Sequence, residues 1–353
     1  MQETKINFLQ AVHTANTVVA LLHLLLLLVP SKTKATESST MSRPGCPDNC
    51  GGIPIPYPFG FYDRPNCYLS DAFKISCNAT TYSGKSTFTP YWLGRQVLDI
   101  SLSLGEARLS TPISSQCYNT TTKINDYSRW KWNLTSLPYR FNHEKNKIVV
   151  IGCSTLAYVQ YSINQNTYWG ACGSWCYRSE TLTNGSCSGI GCSQTVIPKG
   201  TNYILFSFEE KYNNSRIYNF SQCGYAMVME ADTFTFKSDY ITTDDALERE
   251  NLPIVIDWFI DNTTCNNAWA NESSYACKSK NSECVDSISG LGYFCNCSRG
   301  YQGNPYLEGA GGCQVNNHAP TPGNVTIPKE DIAALVLLAG NKKRRIHANS
   351  TWQ

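Results

Sequence analysis

The chain has 353 residues, room for two or three modest domains, and a formal net charge of +2. Its 17 cysteines, spread from 46 to 313, exclude an ordinary cytosolic protein and place the chain in an oxidising compartment. The near-neutral total hides a gradient: residues 36–199 carry 14 Lys and Arg against nine Asp and Glu, and residues 200–341 carry eight against 17. An extracellular basic half points to an anionic partner, which the acidic half would repel.

Lys5 precedes an apolar run from Thr17 to Val29, followed by Pro30 and a small polar stretch. A bilayer span needs roughly 20 apolar residues, more than this run supplies. Residues 1–35 therefore read as a secretory signal peptide cleaved after Ala35. Sequons at Asn78, Asn119, Asn133, Asn184, Asn213, Asn219, Asn262, Asn271, Asn296, Asn324 and Asn349 agree with a glycosylated surface. Residues 36–45 read as a flexible leader.

Cysteines 46 to 223 form a cluster of eleven. It opens on CPDNCGGIPIPYPFG, 46–60, where Pro54, Pro56 and Pro58 fix φ and lower the entropy lost on ordering an extended ribbon. In VLDISLSL, 97–104, Leu98, Ile100, Leu102 and Leu104 alternate with Asp99, Ser101 and Ser103, the period of a half-buried strand ending at Gly105. Residues 147–161, 203–208 and 226–230 read as strands too. Between 123 and 147, Lys123, Arg129, Lys131, Arg140, Lys145 and Lys147 interleave with Tyr127, Trp130, Trp132, Tyr139 and Phe141. Such cations can pair with the carboxylates of an acidic polysaccharide and such rings can pack on sugar faces; the same rings also suit a core. The acidic stretch DDALERE, 244–250, reads as a short linking helix.

A second cluster holds Cys265, Cys277, Cys284, Cys295, Cys297 and Cys313, and spacing alone leaves its fifteen pairings open. Beyond it, the apolar run from Ile332 to Ala339 is too short for a span and precedes Lys342–Arg345.

Loosely zinc-like spacings occur at Cys46/Cys50, Cys172/Cys176 and Cys187/Cys192, but an oxidising compartment favours disulfides and His143 is the one histidine in the folded body. His143 lies in a charged turn, FNHEKNK, so a Cys/His or Ser/His nucleophile has no support. No Cys-x-x-Cys redox motif, phosphate-cradling loop or kinase catalytic loop is present, and nothing points to a glycosidase carboxylate pair. The expectation is a binding protein, not an enzyme, with no cofactor, no metal and no nucleic-acid partner.

CPDNCGGIPIPYPFG resembles the signature that opens the galacturonan-binding domain of plant wall-associated receptor kinases. The likeness continues through LDISLSL, PISSQCYN, WNLTSLPYRF, GCSTLAYV, CSGIGCSQTVIPKG and CGYAMVME. The stretch YACKSKNSECVDSISGLGYFCNCSRGYQGNPYLEG resembles that family's EGF-like module, so the likeness covers about 46–314. It implies an all-β, disulfide-rich architecture: a cysteine-stapled β-rich ectodomain followed by an EGF-like module. The expected division is signal peptide 1–35, leader 36–45, signature part of the galacturonan-binding domain 46–105, its cysteine-rich β continuation 106–238, acidic linker 239–260, EGF-like module 261–314 and tail 315–353. The module's usual pairing, carried over, gives Cys265–Cys284, Cys277–Cys295 and Cys297–Cys313.

The resemblance implies an extracellular or wall-bound chain that contacts de-esterified pectin, or a membrane protein if the chain belongs to a longer receptor. Candidate polysaccharide contacts are Arg64, Lys74, Lys85, Arg95 and Arg108, then Arg129 and Lys131. The alternative is a protein-interaction module or decoy whose partner is a receptor kinase or another extracellular protein. Three departures stand out. The family's GCCQT has Ser193 in place of its second cysteine, which leaves one of eleven thiols without a partner, its identity open. Asp257 and Asp261 precede Cys265 in the wrong pattern for a calcium site, and a full transmembrane run and kinase are missing.

Overall fold

The computed structural model describes residues 41–82, 85–212, 214–243, 246–247, 249–288 and 292–316. The expected signal peptide, Asn213, Asn324, Asn349 and nearly all of the tail lie outside these residues. No helix among the described residues is long and apolar enough to cross a membrane.

Runs of alternating apolar and polar residues form most of the strands. β1 (Asn49–Cys50) and β2 (Ile53–Pro54) make a small hairpin. β3 (Gly60–Phe61), β4 (Lys74–Tyr82), β5 (Lys85–Trp92), β6 (Arg95–Ser101) and β7 (Glu106–Ser110) follow. Then come β8 (Ser114–Tyr118), β9 (Asn125–Ser128), β10 (Lys131–Asn133), β11 (Tyr139–Phe141) and β12 (Asn146–Ile151). β13 (Ser154–Ile163) and β14 (Asn166–Trp175) form a long hairpin, and β15 (Cys192–Val196), β16 (Tyr203–Phe208), β17 (Cys223–Glu230) and β18 (Pro253–Trp258) complete the body. The last six cysteines enclose the hairpins β19 (Ser282–Asp286) with β20 (Tyr293–Cys297) and β21 (Tyr301–Gln302) with β22 (Gln314–Val315).

Three sheets carry the body, with orders β11-β18-β7-β6-β5-β4-β3, β15-β12-β17-β8-β9 and β10-β16-β13-β14. The middle strands β12 and β17 are buried on both faces. Ile148, Val150, Ala226 and Val228 meet one apolar core, and Val149, Ile151, Met227 and Met229 meet a second. This explains their unbroken apolar sequences, IVVI and YAMVM. Asn146 joins two sheets: its Nδ2 donates to Val255 O and its Oδ1 accepts from Val255 N, so a β12 side chain pairs both backbone groups of a β18 residue.

The first core is centred on Phe59, from the proline ribbon. Its ring meets Phe73, Trp92 and Trp258 edge-on at 5.1, 5.1 and 5.2 Å. Each such pair contributes about 0.5–1.5 kcal/mol beyond the area buried. The signature thus anchors strands from distant parts of the chain, which its local sequence does not announce.

Several expectations change. Residues 41–45 are not a loose leader: Ser42 is buried, and the Arg43 guanidinium lies over Tyr57 and donates to its hydroxyl. In 97–104 a register shift between Val97 and Asp99 breaks the simple alternation; Val97 takes the core position and Leu104 ends exposed past the strand. Residues 147–161 are two strands in different sheets, divided at Gly152, whose φ of 147° turns the corner. The described part of 244–250 is not helical; a short helix precedes it at Asp239–Thr242. Within the stretch read as a linker, β18 is a buried strand between β11 and β7, and the sheet it joins runs across residue 105.

All cysteines but one are paired: Cys46–Cys67, Cys50–Cys77, Cys117–Cys223, Cys153–Cys176 and Cys187–Cys192 in the body, and Cys265–Cys284, Cys277–Cys295 and Cys297–Cys313 beyond it. The last three follow the order implied by the resemblance. Cys172 is free and buried, and its Sγ donates to Ser193 Oγ at 3.2 Å.

Candidate functional site

The glycine pair and the first two disulfides build an open cleft. Gly51 and Gly52 turn β1 into β2 with φ of 60° and 89°. A side chain at Gly51 would put its Cβ 1.8 Å from the Phe88 carbonyl oxygen, so only glycine lets the hairpin lie against β5. Cys50–Cys77 ties the hairpin to β4, and Cys46–Cys67 ties it to the turn after β3. The resulting cavity measures about 480 Å³ and is lined by Asn49, Tyr62, Asp63, Arg64 and Phe88, among others. Tyr62 is 61% and Phe88 52% exposed, so two apolar surfaces flank a cation at the mouth. Arg64 Nε lies 3.8 Å from the Asp63 carboxylate with both side chains mostly in solvent. Such a pair is worth little and leaves the guanidinium free to exchange partners.

The seven candidate cations do not converge. Arg64 lines the cleft, and Lys74 lies on β4, which runs beside β3. The Lys74 ammonium bonds to Asp71 at 2.8 Å and lies over Tyr68; the Asp71 bond holds its pKa above the usual lysine value. Lys85 is exposed where β5 begins. Arg95 stacks on Trp130, 3.3 Å from the ring centre; burial lowers its pKa, and its Nε and Nη2 are enclosed without an acceptor. Arg129 lies over Tyr127, and Lys131 points outward from β10. Of these three, Arg95 contacts Trp130, while Arg129 and Lys131 are its neighbours in the chain.

Arg108 is committed elsewhere. Its Nε and Nη2 donate to both oxygens of buried Glu230 at 2.9 and 2.7 Å, and Asp99 lies 3.5 Å away. Its geometry is that of a structural ion pair, not of a free ligand contact. Arg108→Ala would leave Glu230 buried and unpaired, and is expected to lower stability by about 2–4 kcal/mol. A denaturant melt checks this; an unchanged midpoint would return Arg108 to the surface-contact group. Lys145 is likewise held by Glu106, which faces Asp257 across β7 and β18 while Asn142 Nδ2 bridges the two carboxylates.

Of the aromatics in 123–147, Trp132, Tyr139 and Phe141 are core. Tyr62 and Phe88 were not singled out in the sequence because neither stands near a cationic cluster. Phe88 was nonetheless legible as the one large apolar residue in the otherwise polar first half of β5. Among the described sequons, Asn78, Asn133, Asn184, Asn219, Asn262 and Asn271 are exposed. Asn119 and Asn296 are half-buried: Asn119 bonds Thr121, Thr122 and Asp126, and Asn296 donates to Ser103 O.

Residues 46–111, the segment that builds the cleft, match the family described as wall-associated receptor kinase galacturonan-binding. Arabidopsis thaliana wall-associated receptor kinase 2 is 32% identical over 280 residues, 78% of this chain and 35% of that protein. Wall-associated receptor kinase 4 of the same plant is 32% identical over 285 residues, 79% and 35% of the two chains. The chain belongs to the wall-associated receptor kinase family. It is a receptor-type, disulfide-rich β ectodomain of that family and spans about a third of the length of these relatives. The family that matches residues 46–111 is described by galacturonan binding and not by a catalytic activity. No solved structure gives a significant match.

Proposed function

We propose that this chain binds de-esterified pectin at the cell wall through the cleft beside its N-terminal signature. One observation carries the reading: the matched segment folds into an open cavity with exposed Tyr62 and Phe88 beside Arg64. Rings can pack on the C–H faces of a pyranose while the guanidinium takes its carboxylate. Lys74 and exposed Lys85 extend the positive character along β4 and β5. Each exposed pair is weak, but repetition along a polymer supplies avidity, and salt weakens it.

The test is binding of the glycosylated chain to de-esterified homogalacturonan, methyl-esterified pectin and a neutral glucan at low and high salt. Preference for the de-esterified polymer, weakened by salt, is expected, with Arg64→Gln lowering affinity roughly two- to fivefold. Equal binding to de-esterified and methyl-esterified pectin by folded protein overturns the reading.

A further inference from the structure

The outer face of the β10-β16-β13-β14 sheet lies outside the matched segment and presents a different chemistry. Antiparallel pairing sets Trp169 of β14 beside Gln160 of β13, and the buried positions of β13 and β16 alternate with this row, so the row faces outward. Trp169 is 62% exposed. Trp175, 38% exposed, lies six positions further on the same face of β14, about 20 Å along an extended strand. Its indole folds over Gly173, where a Cβ would come within 2.4 Å of the ring. Tyr212 meets Trp175 edge-on at 5.8 Å, and the Tyr158 hydroxyl donates to Glu209, which fixes that ring between the two tryptophans.

None of the outward residues of β13, β14 and β16 is charged; Lys131 on β10 and Glu209 after β16 mark the margins. None of these three strands carries a sequon. Asn133 lies on β10, the opposite edge of the sheet from β14 and about 14 Å away at ordinary strand spacing. Asn133 pairs with Tyr203 and shares this face, and the sequon at Asn213 follows Tyr212 in the chain, so sequons border the row without falling within it.

We propose that this face binds an uncharged, extended glucan strand. Rings spaced along β14, beside the hydroxyls of Ser154 and Tyr158 and the amide of Gln160 on β13, match a polymer with apolar C–H faces and hydroxyl edges. The one cation aligned with the row among the described residues, Lys131, stands three strands from Trp169, about 14 Å at ordinary strand spacing, so a polyanion gains little from it. The inference is independent of the galacturonan cleft.

The test is calorimetric titration of the full glycosylated chain with cellohexaose at low and high salt, beside the same titration with a galacturonan oligomer. Cellohexaose binding is expected to be insensitive to salt, unchanged in Arg64→Gln, and weakened about tenfold or more in Trp169→Ala and in Trp175→Ala, both checked for an unchanged melting temperature. Absence of cellohexaose binding, or its full retention in the double variant, overturns the proposal. A dimer that dissolves in Trp169→Ala also overturns it, since the face would then be a self-interface. Loss of galacturonan binding alone bears only on the cleft.

Discussion

Ser193→Cys is expected to close a further disulfide, with Cys172, and to raise stability by about 2 kcal/mol. Cys172 on β14 and Ser193 on β15 already touch, Sγ to Oγ at 3.2 Å, and the two strands belong to different sheets. A bond here closes a loop of about 20 residues, for which the entropy removed from the unfolded chain is worth about 3 kcal/mol. The hydrogen bond it replaces is worth about 1 kcal/mol, so the gain exceeds the loss. In the natural chain burial raises the Cys172 pKa, which keeps the thiol protonated and unreactive. The expected readouts are a free-thiol count under denaturing conditions that falls from one to zero and a melting temperature higher by roughly 5–10 °C. Two titratable thiols in the folded, air-oxidised variant would show that the side chains are not apposed. Cys172→Ala combined with Ser193→Cys should forfeit the gain.

The serine in place of a second cysteine was visible in the sequence, and so was the odd count; the partner was not. Cys172 lies 21 positions before Ser193 with three other cysteines between them, and only the packing of β14 against β15 selects it. The same limit explains the rest. Tyr203–Phe208 was legible because its burial alternates with period two, whereas residues 147–161 form one apolar run that the fold divides between two sheets at Gly152. Arg108 and Arg64 are indistinguishable as basic residues; Glu230, 122 positions away, makes one a structural ion, and a cleft leaves the other in solvent. β18 escaped notice because the acidic stretch before it dominated the composition, although PIVIDWF is a strand sequence on its own. Local periodicity thus showed strands, and pairing across the chain decided which charges stayed free.

Asn304→Asp is expected to remove at least about 3 kcal/mol at neutral pH and to loosen the EGF-like module from the signature. Asn304 is 0% exposed, and its Nδ2 donates to Met41 O and Tyr57 O, both at 2.6 Å, while its Oδ1 accepts from Tyr306 N. One amide thus ties the module to the N-terminal segment and to the proline ribbon. An aspartate there has no donor when ionised, so the Tyr57 carbonyl loses its partner, the Met41 carbonyl is left with Tyr57 N alone, and a buried charge loses water. Burial raises that carboxyl's folded pKa above its unfolded value, so the destabilisation is largest at neutral pH and shrinks as pH falls toward the ordinary carboxylate range, where the protonated acid donates once. Denaturant melts at pH 7 and pH 4, compared with the parent at each pH, read this directly. Parent-like stability at pH 7 would mean that the amide does not hold the module. The ribbon continues through Phe59, whose ring organises the first core, into the strand that ends at the cleft residues Tyr62 and Arg64. Galacturonan affinity should therefore fall together with stability in Asn304→Asp although the substitution touches no cleft residue. In Arg64→Gln affinity alone should fall, and the two variants together separate a cleft that is misaligned from one that is chemically altered.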